Sequence, residues 1–294
     1  MSASADTLEF PLSREACELL ARVALEEDHA FDDVTTTSVV PASARASAVM
    51  VARSGGVIAG LPLAAAIFEV LDNNTTCRPL VSDGARVPAN EAVLEIEGSA
   101  RAVLSAERVA LNFAQRLSGI ATLTARYVSA VRGTGAKILD TRKTTPGLRV
   151  LEKYAVRCGG GVNHRADLSA AVLIKDNHLA TLGGDIALAM RRAREKAPMG
   201  IQVEVECDTR EQVSQALDAG ADVILLDNMS PEEMAKCVAL VHGAAIVEAS
   251  GGISLESVRL VAETGVDWIS VGALTHSVPA LDLALDFRSA APAA

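Results

Sequence analysis

From residue 201 onward the chain repeats one pattern: a short apolar run, a polar or glycine position, then a segment of helical periodicity. Ile201–Glu206 leads to a helix near Arg210–Ala219, and Val223–Asp227 to one over Pro231–His242. Ile246–Ala249 leads to one over Leu255–Thr264, and Trp268–Val271 to one near Val278–Phe287. Short apolar strands alternating with helices imply a parallel sheet, because parallel neighbours need a crossover long enough to hold a helix. Two earlier strands, Lys137–Asp140 and Ala171–Ile174, extend the series to about six, which suggests closure into a barrel. No G-x-G-x-x-G follows the first of them, so a dinucleotide-binding sheet is not indicated.

Each of these strands finishes on a polar or glycine position: Asp140 with Arg142 and Lys143, then Lys175, Glu206, Asp227, Ser250-Gly251-Gly252 and Gly272-Ala273. In a βα barrel these ends meet at one mouth, where active sites are built. The stretches Ser250-Gly251-Gly252-Ile253 and Val271-Gly272-Ala273-Leu274 precede predicted helices, so their N–H groups are candidates for holding a phosphate. Glu206 and Asp227 are the acids at strand ends that suit ribose hydroxyls, a divalent cation held directly or indirectly, and positive charge developing at a sugar carbon. Salt bridges from them to Lys143 or Lys175 are the structural alternative.

Charge is concentrated in one place. Lys137–Leu179 carries eight Lys or Arg against four Asp or Glu, inside a chain of formal charge −10. An anionic ligand is expected there. The spacing predicts a helix with Pro146 in its first turn, an apolar stripe of Leu148, Leu151 and Ala155, and Arg149, Lys153 and Arg157 on a solvated face. Gly159-Gly160-Gly161 ends it. His164, beside Arg165 in the glycine-flanked loop that follows, is expected to contact substrate; His29, His178, His242 and His276 read as ordinary hydrogen-bonding residues.

The first third is less regular. Ser13 is placed to cap a helix through Leu19, Leu20 and Val23, and Ser105 one from Ala106 to Leu117. Ala48–Ala52 and Val57–Gly60 read as a hairpin about Ser54-Gly55-Gly56, with Leu63–Leu71 as a helix behind it. Val81–Gly98 has strand-turn-strand character, with Asn90 suited to left-handed backbone. The expected architecture is therefore an α+β domain over 1–118, joined by a C-terminal helix at 277–288, and an α/β barrel over 119–276.

With 50% hydrophobic residues the chain can bury a large core, and 3% aromatics with a pI near 5.1 argue against nucleic-acid binding. Five cysteines without C-x-x-C or metal-like spacing read as reduced thiols, Cys158 beside the glycines being the one to watch. MSASADTLEF lacks the pattern of a secretion signal, and the most apolar run, Val57–Leu71, is interrupted by Gly60, Pro62 and Glu69. A soluble, cytoplasmic protein is expected, without membrane attachment.

DTRKTTPGLR, LEKYAV, GGGVNHR and IKDNH, in this order and spacing, resemble the quinolinate phosphoribosyltransferase family, also called nicotinate-nucleotide pyrophosphorylase (carboxylating). The likeness runs from Asp33-Val34-Thr35-Thr36, where Asp32 and Asp33 occupy a neighbourhood that holds glycine in the family, to Ala273-Leu274-Thr275-His276-Ser277. It implies a TIM-like α/β barrel with a smaller N-terminal α+β domain. It also implies transfer of phosphoribosyl from phosphoribosyl pyrophosphate to quinolinate, with Mg²⁺, giving nicotinate mononucleotide, pyrophosphate and CO₂ for NAD biosynthesis. SAERVALN implies a homodimer in which Arg108 reaches the neighbouring subunit's site.

The candidate catalytic residues are Lys143, Lys175, Glu206 and Asp227, the two acids also being the Mg²⁺ candidates. The same four, with Arg108, Thr141, Arg142, His164, Arg165, Ser250, Gly251, Gly252, Val271, Gly272 and Ala273, are expected to bind substrate. The alternatives are a paralogous phosphoribosyltransferase with another acceptor, and a Schiff-base aldolase using Lys143 or Lys175.

Overall fold

The structure, a computed structural model, describes residues 8–288. Ser289–Ala294, expected as a disordered tail, and most of the MSASADTLEF stretch lie outside them. The chain divides into two units: one runs through Leu123 and takes in Gly147–Gly160 and the chain from Val278, the other comprises Thr124–Pro146 and Gly161–Ser277.

The second unit is built on a six-stranded parallel sheet. Going round it, Lys137–Leu139 is bonded to Trp268–Ser270, and then follow Ile246–Ser250, Val223–Asp227, Val203–Cys207 and Val172–Ile174. The last strand in sequence thus pairs with the first, Trp268 opposite Lys137, so the sheet curls into a singly wound barrel. The ring is not fully laddered. Beyond Lys137–Leu139 a single bridge joins Leu139 to Val162, and among the described residues no ladder links Val162 to Val172–Ile174. The helices over Arg210–Asp218 and Pro231–Val241 begin on side-chain caps, Thr209 and Ser230, as the sequence pattern requires. The next helix is shorter than expected, Val258–Glu263, preceded by turns.

In the first unit Ser13 caps Arg14–Glu27, and Leu61–Leu71 is helical. Leu61–Leu71 borrows its cap: the Asp83 carboxylate accepts N–H bonds from Gly60 (2.8 Å) and Leu61 (3.2 Å) and the Tyr154 hydroxyl at 2.9 Å. Tyr154 belongs to the helix Arg149–Cys158, which is how that helix is fastened into this unit.

Several expectations are corrected. Arg45–Ala52 does not form a hairpin with Val57–Gly60; it pairs with Glu91–Ser99 and Leu283–Arg288, while Gly56–Val57 pairs with Arg86–Val87. Residues 277–288 are not a helix: Leu283–Arg288 is a strand on the edge of the antiparallel sheet, and the alternation Leu281, Leu283, Leu285, Phe287 has the period of a strand. Ser105 starts nothing, because the helix runs unbroken from Ala100 to Ala130; its hydroxyl donates to the Asp33 carboxylate at 2.9 Å. Pro146 lies outside its helix, which begins at Arg149 after Gly147 takes φ +80°. Lys153 is buried rather than solvated. Asn90 does adopt left-handed backbone, φ 66°.

Candidate active site

Strand alternation sends every second side chain into the barrel. Lys175, Glu206, Asp227 and Ser250 occupy the rim, and Leu173, Leu225, Glu248 and Ser270 lie one layer below. These residues, with Thr141, Arg142, Lys143, His164, Arg165, Asn228, Gly251 and Gly252, enclose a cavity of about 600 Å³ at the C-terminal ends of the strands. Among the described residues, Val271, Gly272 and Ala273 are not in its wall; Val271 is buried, and Gly272 packs against Lys143 and His276. Arg108, in the other unit, is exposed and has no hydrogen bond or ion pair among the described residues.

One side of the cavity is cationic. The Lys175 ammonium donates to a Glu206 oxygen. Arg165 donates one N–H to the Ala171 carbonyl at 3.0 Å, and burial, then the charge of Arg142, pull its guanidinium below the usual arginine value. The Nε of Arg142 is buried without a hydrogen-bond partner. A buried unpaired donor is costly, so this wall is arranged for an anion that satisfies it.

The acidic side is held in place differently. Asn228, at φ 53°, donates its amide to Asp227 Oδ2 at 2.6 Å, and its backbone N–H reaches the Ser250 carbonyl at 3.0 Å. Gly251, at φ +95°, leaves room for the Asn228 side chain where a Cβ would lie 2.2 Å from its oxygen. The second oxygens of Glu206 and Asp227 make no hydrogen bond among the described residues, leaving hard oxygen donors that fit Mg²⁺.

His164 lines the cavity, yet both of its ring nitrogens are engaged within the protein. Nδ1 accepts the Arg165 backbone N–H at 2.7 Å; Nε2 lies 3.2 Å from Glu204 and 3.4 Å from Glu248. Burial pulls the ring's proton affinity down, while hydrogen bonds and charge from the two glutamates push it up. The contact with Arg165 opposes a second ring proton, since two N–H groups would face each other at 2.7 Å, and it favours the neutral Nε2–H ring. Burial, together with the charge of Glu248, raises the pKa of Glu204.

Asp140, expected at the mouth, is fully buried: it accepts the His164 backbone N–H at 2.9 Å and the Asn163 amide at 2.5 Å. Burial pushes the Cys158 thiol up to about 12, which removes it as a nucleophile. Glu204, Asn228, Glu248 and Ser270 were missed by the sequence reading. The signal for both glutamates was present: in VEVEC and IVEAS they stand two residues before Glu206 and Ser250, hence on the same inward face.

The family described as quinolinate phosphoribosyl transferase matches this chain twice, its N-terminal domain over residues 33–118 and its C-terminal domain over 120–286. The chain is 45% identical over 260 residues to a probable nicotinate-nucleotide pyrophosphorylase (carboxylating) of Bacillus subtilis, covering 88% of this chain and 89% of that one. It is 45% identical over 284 residues to a nicotinate-nucleotide pyrophosphorylase (carboxylating) of Mycobacterium leprae, covering 95% and 98%. Among solved structures, the nicotinate-nucleotide pyrophosphorylase of Francisella tularensis superposes with a TM-score of 0.89 at 39% identity, covering 95% of this chain and 98% of that one.

Proposed function

The chain belongs to the quinolinate phosphoribosyltransferase family, and from that membership we infer that it transfers phosphoribosyl from phosphoribosyl pyrophosphate to quinolinate with decarboxylation, a step of NAD biosynthesis. The quinolinate nitrogen attacks the anomeric carbon as the bond to pyrophosphate breaks, and the ring carbon that then loses CO₂ takes up a proton, which yields nicotinate mononucleotide. The observation that carries the site assignment is the cationic wall, which includes the buried, unpartnered Nε of Arg142.

Arg142, Lys143, Arg165 and Lys175 take the carboxylates of the acceptor and the pyrophosphate of the donor. Each charge-assisted hydrogen bond contributes about 1.5–3 kcal/mol in favourable cases, so a few suffice to orient a dicarboxylate. Glu206 and Asp227 take the ribose hydroxyls and stabilise positive charge at the anomeric carbon. Thr141, Ser250, Gly251 and Gly252 supply further polar contacts to substrate, the glycines toward the 5′-phosphate. Mg²⁺ would be held by the remaining oxygens of Glu206 and Asp227 and would neutralise charge on the leaving pyrophosphate. Asn228 keeps the Asp227 carboxylate turned to its task.

A Schiff-base aldolase is disfavoured at Lys175, because an ammonium bonded to Glu206 is not the neutral amine that chemistry uses. Arg108, exposed and unpaired, completes the anion site of a neighbouring subunit in a homodimer. A cytoplasmic setting accords with five free thiols; among the described residues no helix is long and apolar enough to cross a membrane.

The test is a coupled assay of purified protein with quinolinate, phosphoribosyl pyrophosphate and Mg²⁺, nicotinate serving as the alternative acceptor. Nicotinate mononucleotide forming from quinolinate alone is expected. Product only from nicotinate, or from neither acceptor with folded protein, would overturn the acceptor assignment.

A further inference from the structure

The barrel wall has a gap where the most demanding side chain must be aimed. Arg165 sits between Val162, held by a single bridge, and Val172–Ile174, so no ladder of backbone bonds fixes the loop that carries it. A side-chain network takes the ladder's place. The His164 backbone is tied to Asp140 at 2.9 Å, and its ring reaches across the interior to Glu204 and Glu248, on two different strands. Both glutamates are almost wholly buried, and Glu248 is itself fixed by the Ser270 hydroxyl, which donates to its other oxygen at 2.5 Å.

We propose that Glu204 and Glu248 are positioning residues for the acceptor, holding His164 as the Nε2–H tautomer so that its bare Nδ1 receives the Arg165 N–H and fixes where that guanidinium enters the cavity. A cluster of one histidine and two carboxylates also suggests a metal site. The tautomer argues otherwise: with Nδ1 accepting an N–H, the ring proton is on Nε2, pointing at the carboxylates, where a metal would need the lone pair. The inference rests on the cavity being the quinolinate site, and it names the residues that set affinity for the acceptor rather than for the donor.

The network makes a distinction between shape and charge. In Glu204→Gln the side-chain carbonyl still accepts the Nε2–H where Glu204 Oε2 now lies 3.2 Å away. In Glu204→Leu that acceptor is gone, and Glu248 Oε2, 3.4 Å away and without a hydrogen bond, is all that faces the buried ring N–H.

The experiment has two independent readouts. The first is ¹⁵N NMR of the ligand-free, histidine-labelled protein, in which His164 is expected as the neutral Nε2–H tautomer at neutral pH. A doubly protonated or Nδ1–H ring in the unmodified protein overturns the proposal without any variant being made. The second is steady-state kinetics: Glu204→Leu is expected to raise KM for quinolinate roughly tenfold, the scale of one lost buried hydrogen bond, with KM for phosphoribosyl pyrophosphate within about twofold. Glu204→Gln is expected to restore it. An unchanged quinolinate KM in the Leu variant, or a Gln variant as impaired as Leu, sinks the idea. Should the Leu variant not fold, the tautomer measurement on the unmodified protein still decides. The tautomer does not depend on turnover, so failure of the acceptor assignment in the coupled assay is distinguishable from failure here.

Discussion

Gly251 and Gly252 are neighbours with the same backbone demand and opposite surroundings. Gly251 has φ +95° and Gly252 φ +60°, so alanine at either pays the left-handed penalty, about 1–2 kcal/mol. Only at Gly251 does the new Cβ meet anything. It would lie 2.2 Å from Asn228 Oδ1 and 2.8 Å from the Asn228 backbone nitrogen, whereas nothing lies within 4 Å of a Cβ at Gly252. Relief requires Asn228 to move, which strains its N–H bond to Ser250 and withdraws its amide from Asp227. Overpacking of this kind adds about 1–3 kcal/mol. Gly251→Ala should therefore be less stable than Gly252→Ala by about that amount in urea titration, and should lose roughly 10²-fold in kcat/KM through the misplaced Asp227. Equal stability and equal activity of the two variants would refute the account of the Asn228–Gly251 contact.

Arg165→Ala and Lys175→Ala should each lower kcat/KM for quinolinate by roughly 10²-fold or more with the fold intact, and near-normal activity in both would remove the cationic wall from the mechanism. An inactive Arg108→Ala mixed with inactive Lys175→Ala should recover part of the activity as hybrid dimers form; no recovery after verified subunit exchange argues against a shared site. Asp33→Ala removes the cap of Val34–Val39 and should cost about 1–2 kcal/mol. The Asp33 carboxyl is held below its ordinary value by the Thr36 hydroxyl, then by the Thr36 N–H and Ser105. Its contribution is thus full above the ordinary value of about 3.9 and is lost as pH falls through the lower, folded value. The stability gap between Asp33→Asn and the unmodified protein should close on acidification; a gap that widens would reverse the assignment.

What the sequence made legible was local. Val223–Asp227 is a run of four apolar residues ending in an acid, with turn residues on both sides, and its limits are as read. Ser13 announces its helix because a cap acts across three residues. Errors arose where a partner is distant. Ser105 has the chemistry of a cap, but its hydroxyl is used by Asp33. Arg45–Ala52 has its two partners near residues 91–99 and 283–288, neither of which periodicity can point to. The rim of the cavity was readable from polar residues that end apolar strands. In the layer beneath it only the positions of Glu204 and Glu248 were readable, from the strand period; their role is intelligible only once His164 is placed against them.

The pairings that complete both sheets join early and late parts of the chain, and this sets an order on folding. On the ribosome the barrel ring cannot close until Trp268–Ser270 has emerged to meet Lys137–Leu139, and Arg45–Ala52 keeps an open edge until Leu283–Arg288 arrives. Such distant contacts fold slowly and leave unpaired strand edges exposed meanwhile, the circumstance in which nascent chains aggregate or engage chaperones. The N-terminal unit, although made first, is therefore among the last parts to be finished, and a chain released before residue 288 would carry an unsatisfied strand edge.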